Sequence, residues 1–433
     1  MVDFHRHFVV QYRHHTIQTI LKGIFMDKKD IAEIKRRLKI NKTTITRLAG
    51  CYVDEQKEKV TTFTRHFMDL EEDEVHKYLE IANKAFSGTP GNNLLELAFP
   101  LEQETEGGLE RSLLALRDSK LENDALLESF YDHVIESYET VEHYLILLFF
   151  DTYDIPLKTT DNMLLDDSEE IYEYIIACIC PVKLSKPGLG YLEPENRIAP
   201  RIRDWVVSPT ESAFVFPCFT ERSSDIHHVL CYTKNAGDPH AEFWENGLGA
   251  EPKFTSTQKR TGFLGLVAKA VGEANEETPD VLLDVQQNIH DYAEQKNEVS
   301  ADEEPVTLTK DDMTELLEES GIPEGKSERI ANSYEEMFPE DSTRAEELFE
   351  ARALKNNELR KEKQLLQEQV VKLNEELEKM GFVNEDGEII DIVVRIRPDR
   401  PLPIDTAFVD GQKCLVIPLQ EETTATVNGK EVR

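Results

Sequence analysis

A chain of 433 residues has room for two or three hydrophobic cores, and 39% apolar with 31% charged residues describes a globular protein with a polar surface. Its 85 acidic residues outnumber 49 basic ones, and the net charge of −36 excludes a protein that coats polyanions through its overall field. A local cationic contact is not excluded, because salt screens that field beyond about 10 Å. No apolar run approaches the roughly 18 residues that a membrane span needs. The first 25 residues lack a secretory pattern, since His and Arg interrupt every apolar stretch. The expected location is the cytoplasm, without membrane contact. Cys51, Cys178, Cys180, Cys218, Cys231 and Cys414 are scattered as reduced, partly buried thiols would be.

Taken in order, residues 1–25 read as a poorly ordered extension, and Met26 as the more natural start. Residues 26–140 read as an α+β region. Its first helix, Lys28 to Leu38, sets Ile31, Ile34 and Leu38 on one side. Short strands are expected on either side of Gly50, with Asp54 to Glu58 turning into a hairpin strand from Val60. Glu71 to Phe86, Leu109 to Asp118 and Asp124 to Tyr138 read as helices, and Ser87 to Asn93 as a loop.

Residues 141–297 hold the densest apolar patterning: Tyr144 to Phe150, Ile171 to Val182, Asp204 to Val207 and Ala213 to Phe219. Such runs, bounded by Pro, Gly, Asp and Asn, are buried strands of one sheet. Helices are expected at Ser223 to Tyr232, Phe263 to Val271 and Val281 to Gln295. A small helical module follows at 306–345, with Thr309 as a helix cap and Gly321-Ile-Pro323 as a break. In 346–380, Leu359, Leu366, Leu373 and Met380 recur every seven residues, Val370 and Leu377 fill the alternate seam, and Lys363 occupies it one heptad earlier. That is a coiled-coil pattern and predicts pairing with another chain, most simply a homodimer. Residues 386–433 return to β: Ile390, Ile392, Val394 and Ile396 alternate, and Asp410-Gly411 and Asn428-Gly429 are hairpin turns. The fold class is α+β, a central mixed or antiparallel sheet flanked by helices, with a helical module, a coiled-coil helix and a C-terminal β-hairpin unit.

Several groups have chemistry to weigh. Lys28, Lys29, Lys35, Arg36, Arg37, Lys39, Lys42 and Arg47 face only Asp30 and Glu33 over the same twenty residues, a local reversal of the chain's sign. On one helix and its following loop they would grip phosphates, unless they dock on the protein's own acidic surface. Arg395, Arg397 and Arg400 form a smaller group with the same two readings. Asp151, Asp154, Asp161, Asp166 and Asp167 would serve a metal-dependent hydrolase if they converged, and otherwise form a solvated acidic loop. Cys178 and Cys180 point to one face of a strand. Zinc sites use Cys-x₂₋₄-Cys pairs, so buried apolar residues are the plainer reading, with His227 and His228 joining only by an accident of folding. Ser87-Gly-Thr-Pro-Gly-Asn-Asn93 lacks the lysine and spacing of a phosphate-binding loop and reads as a turn. An interior Trp205 with satisfied neighbours is the plain reading of Asp204-Trp205. No cofactor, metal site or catalytic residue is assigned.

Met26-Asp-Lys-Lys-Asp-Ile-Ala-Glu-Ile-Lys-Arg-Arg37, Gly50-Cys-Tyr-Val53, Leu116-Arg-Asp-Ser119, Ile179-Cys-Pro-Val-Lys-Leu184 and Asp204-Trp-Val-Val207 resemble the bacterial domain of unknown function 4317 family, found mainly in anaerobic Firmicutes. The resemblance runs from Met26 nearly to the C-terminus. Residues 1–25 lie outside it, and the heptad helix looks like an elaboration. It implies no activity and carries no functional residues over. The order of elements is also similar, in architecture alone, to nucleoid-associated proteins of the YejK/NdpA type, which are acidic themselves. The expected function is a non-catalytic binding protein, associated with DNA or RNA or with a nucleoid complex. The alternatives are the Asp151/Asp154 hydrolase and a protein–protein scaffold acting through its coil.

Overall fold

The computed structural model describes residues 28–105, 107–158, 164–220, 223–299, 305–339, 343–379, 403–418, 425–427 and 430–432. The expectations for residues 1–25, Asp161, Ile390 to Ile396, Arg395, Arg397, Arg400 and Asn428-Gly429 lie outside these. So do those for the side chains of Lys28, Asp154, Asp166 and Asp167. The chain forms two compact units, residues 1–353 and 354–433.

The first unit opens with α1 (Lys28–Arg37), β1 (Arg47–Val53), β2 (Lys59–His66), α2 (Glu72–Lys84) and β3 (Leu94–Ala98). Gly50 sits inside β1 and does not separate two strands. A side chain there would strike the Phe63 ring of β2 and Leu147. Helix α2 begins with Glu72, Asp73 and Glu74, the charge its amide dipoles favour. Next come α3 (Leu109–Asp118) and α4 (Asp124–Ser137); the Asn123 side chain caps α4 by accepting from the Ala125 and Leu126 amides.

The sheet's two longest strands are β4 (His143–Lys158) and β5 (Leu164–Leu184). They continue through β6 (Leu189–Leu192), β7 (Arg197–Pro200), β8 (Trp205–Val207), β9 (Ser212–Phe216), β10 (Cys218–Thr220), β11 (Ser223–Asp225) and β12 (His228–Thr233). The helix expected at Ser223 to Tyr232 is therefore two strands. Val229, Leu230, Cys231 and Tyr232 are buried alternately on both faces, which a helical period does not describe.

Eight strands pair in the order β2-β1-β4-β5-β9-β12-β3, with β8 beside β5, and every ladder is antiparallel. Strands from both sides of residue 140 thus share one layer. The fold is α+β. Strand β4 is apolar at every position from Tyr144 to Phe150 because both of its faces are covered. Ile146, Leu148, Phe150, Ile175, Ala177, Ile179 and Phe214 meet α3, α4 and Trp244 on one face. Leu145, Leu147, Phe149, Ile176, Cys178 and Val215 meet Ile31 and Ile34 of α1 and Leu79 of α2 on the other.

A second core lies among α5 (Ser256–Val271), α6 (Thr278–Val299), α7 (Lys310–Glu319) and α8 (Glu324–Met337), around Phe263, Val267, Ile289, Leu316, Ile330 and Tyr334. Thr309 caps α7 in a reciprocal box with Asp312.

Helix α9 (Ala351–Lys379) leads into the second unit, where it carries the heptad residues Leu359, Leu366, Val370 and Leu373; Met380 and the Leu377 side chain lie outside the described residues. There Leu359, Leu366, Val370 and Leu373 are 54–58% exposed. The tail holds the hairpin of β13 (Asp405–Val409) and β14 (Gln412–Val416) and that of β15 (Ala425–Val427) and β16 (Lys430–Val432). Asp410 and Gly411 both have positive φ, as a tight two-residue turn requires. Among the described residues, no helix is long and apolar enough to cross a membrane.

Candidate functional site

Helix α1 buries Ile31, Ile34 and Leu38 against the sheet, and this turns its remaining faces toward solvent or the ends of β1 and β4. Seven of the eight expected cations have described side chains, and these separate into two sets. Arg37 is tied inward. Its guanidinium lies 4.5 Å from the centre of the Tyr153 ring and donates to the Thr44 hydroxyl and the Thr152 carbonyl, both at 3.3 Å. Arg47 pairs with Glu122 at 2.5 Å. Lys29 also has a partner.

Lys35, Arg36, Lys39 and Lys42 are the outward set, all exposed. Lys35 donates to the Ser87 hydroxyl at 3.2 Å. Among the described residues, no carboxylate forms an ion pair with any of these four.

Behind Arg37 lies Asp151, which is 1% exposed. Sequence reasoning placed it in a loop, whereas β4 runs on to Lys158 and Asp151 stands opposite Tyr174 of β5. One carboxylate oxygen accepts from the fully buried Tyr174 hydroxyl at 2.5 Å. The other accepts from the Thr44 hydroxyl at 2.7 Å and the Thr152 amide at 2.8 Å. Burial raises the Asp151 pKa, and the bonds from Tyr174, Thr44 and Thr152 with the nearby Arg37 charge only partly offset it. Burial, and then the Asp151 charge, push the Tyr174 hydroxyl well up. Both carboxylate oxygens are engaged by the protein's own donors. This arrangement fastens the α1–β1 segment to the sheet and does not present a free carboxylate.

The sequence pattern of the family described as a domain of unknown function, 4317, matches residues 26–430, nearly the whole chain. The chain belongs to that family. No curated protein and no solved structure gives a significant match, so the likeness to nucleoid-associated proteins finds no support in either comparison.

In this member of the 4317 family the remaining motifs have structural roles. Cys178 and Cys180 are fully buried on one sheet face, where burial pushes both thiols up, Cys180 to about 12. His227 and His228 approach carboxylates and not those thiols: His227 meets Glu110 at 3.2 Å, and His228 meets Asp225 at 2.7 Å. The bond from Asp225 raises the His228 pKa. Sequence reasoning missed the Glu110–His227 contact because the two residues are more than a hundred positions apart and meet only in the fold.

The Ser87 to Asn93 turn anchors α5. The Asn92 side-chain oxygen accepts from the Thr257 amide at 3.0 Å and its hydroxyl at 2.8 Å, so the helix start that would attract an anion is already occupied. Trp205 is 49% exposed, not interior, with its ring 4.2 Å from His143. Between α6 and α7 a cleft of about 640 Å³ is lined by Asn288, Asp291, Tyr292, Lys296, Asp312 and Glu319. On the exposed side of α6, His290 pairs with Asp291 and Glu294 at 3.4 and 3.7 Å.

Proposed function

We propose that the protein is a non-catalytic binding protein. It would hold a nucleic-acid backbone through Lys35, Arg36, Lys39 and Lys42, and α9 would join two chains. One observation carries the reading: in a chain of −36, four exposed cations at one helix end keep no carboxylate partner among the described residues. Left unneutralised, they can release counterions from a phosphate backbone, which is the main source of sequence-independent affinity. The half-exposed heptad residues of α9 would supply a second, linked contact by pairing two such chains.

Retention of duplex DNA and of RNA by the full chain, measured against salt, tests this. Four phosphate contacts give a slope of about −3.6 in log affinity against log salt on duplex DNA. Arg36→Glu with Lys39→Glu should weaken retention of both polymers uniformly and cut that slope by about half. Equal retention by the variant, or none by the wild-type chain, removes the proposal and leaves a scaffold acting through α9.

A further inference from the structure

Strand β5 does not end with the sheet. Its ladder with β8 runs from Val182↔Val207 to Leu184↔Trp205. It is carried on by Ser185 N–H to the Asp204 carbonyl at 2.8 Å and Arg201 N–H to the Gly188 carbonyl at 2.8 Å. The β6–β7 hairpin completes it, from Leu189↔Pro200 to Leu192↔Arg197, and turns through Asn196 at φ 45°. Residues 182–207 therefore form one two-stranded arm, and among the described residues β6 and β7 pair only with each other.

Alternation sets Leu189, Tyr191, Ile198 and Pro200 on one face of this arm. That face is turned to solvent: Leu189 is 76% exposed, Tyr191 59% and Ile198 64%, with Ile202 at 75% beside them. Four large side chains this open, with Pro200, amount to roughly 500 Å² of apolar surface, as much as the largest patch of an ordinary monomer, and such patches mark interaction sites. An isolated two-stranded ribbon is marginal in water, so the arm gains from a surface to lie on.

Charge selects that surface. Residues 183–204 hold five basic and three acidic side chains, a net of +2, which leaves −38 on the rest of the chain. Lys183 and Arg197 are paired with Glu142 and Glu195, and Arg203 donates to the Ser185 carbonyl. Lys186 and Arg201 are exposed, with no carboxylate on either among the described residues. Two arms packed face to face would set these cations against their own copies. An arm laid on the acidic body of another copy would not, and symmetric self-association is the commonest form of assembly.

We propose that the arm at 182–207 docks on the body of a second copy of this chain, each copy contributing one arm, with Leu189, Tyr191, Ile198 and Ile202 as apolar anchors and Lys186 and Arg201 facing the partner's acidic surface. This contact is independent of α9 and of the nucleic-acid reading.

Sedimentation of the full chain across concentration and salt tests it. Leu189→Glu with Ile198→Glu should raise the dissociation constant of the pair at least tenfold. Lys186→Glu with Arg201→Glu, which leaves every apolar anchor in place, should weaken it at low salt and lose its effect at high salt. A full-length Leu366→Glu/Leu373→Glu chain distinguishes the α9 seam, and its residual self-association should still respond to the arm substitutions. Unchanged self-association in both arm variants overturns the proposal, as does a wild-type chain that stays monomeric at every concentration. So does an arm variant that loses only its pelleting with vesicles containing an anionic lipid, which would make the arm a membrane contact.

Discussion

Replacing Asp151 separates a carboxylate that holds the fold from one that waits for a metal. Asp151→Ala removes the acceptor of a fully buried Tyr174 hydroxyl, while Thr44 keeps its second acceptor, the Thr152 carbonyl at 2.8 Å. Losing a buried hydrogen bond to a carboxylate costs about 1.5–3 kcal/mol, and the small void and the stranded Arg37 charge add to this. The expected loss is about 3 kcal/mol, or roughly 4 °C in the melting temperature of a unit of this size. Asp151→Asn should behave differently. Its amide oxygen can still accept from Thr44 and the Thr152 amide, and its nitrogen can donate to the Tyr174 oxygen, so the site stays filled and two of its three bonds are kept without a buried charge, while the Tyr174 hydroxyl proton loses its carboxylate acceptor. Because burial raises the folded pKa of Asp151 above its unfolded value, the native state holds the proton more tightly. The stability this contributes is complete below the unfolded pKa and is lost as pH rises through the folded one. Asn has no such loss, so its stability relative to the wild type should increase from pH 4 to pH 7. Thermal melts of the three proteins across that range provide the measurement. An Ala variant as stable as the wild type, or an Asn variant as damaged as Ala and indifferent to pH, would refute the reasoning.

Thiol titration of the native chain should find one reactive cysteine, Cys414, and six after denaturation. Cys51, Cys178, Cys180, Cys218 and Cys231 are buried, and burial lifts each of their pKa values, Cys51 to about 12. Five or six reactive thiols in the native state would place these strands elsewhere. If α9 pairs through its seam, light scattering of the wild-type chain should give twice the 49.7 kDa chain mass, and Leu366→Glu with Leu373→Glu should lower it. An unchanged mass would assign the seam to another role.

Legibility in the sequence followed periodicity. Strand β4 declared itself as seven consecutive apolar residues, α1 through Ile31, Ile34 and Leu38, and the β13–β14 turn through Asp410-Gly411, because local chemistry alone determines each. What failed depended on distant partners. Val229 to Tyr232 carries apolar residues at every position, a pattern shared by a buried helix and a strand covered on both faces; the ladders to β3 and β9 decide between them. Asp151 resembled a loop residue because the next acidic positions masked the continuation of β4, and only its opposition to Tyr174 reveals a buried acceptor. The sequence could not show how the expected cationic cluster divides. Arg37 and Arg47 look like Arg36 in sequence, and their orientation depends on where Tyr153 and Glu122 lie.

The arm shows the same limit from the opposite side. Its sequence, Leu189 to Arg203, mixes apolar and charged residues without excess of either, and only the ladder's register shows that its apolar members share an uncovered face. That register also separates the two cationic regions. Arg37 reaches β4 at Thr152, one position past the Asp151–Tyr174 pair, whereas the arm begins beyond Leu184, ten residues further along β5. At about 3.3 Å per residue the separation is roughly 33 Å, more than three Debye lengths at physiological salt. Charges so far apart through screened solvent neither reinforce nor repel one another appreciably, and changes at sites without shared partners combine additively. A polyanion held at α1 and a second copy held by the arm would therefore not compete electrostatically. In a body of −36, two small cationic faces set ten residues apart along β5 would let each meet its own proposed ligand without attracting the other's.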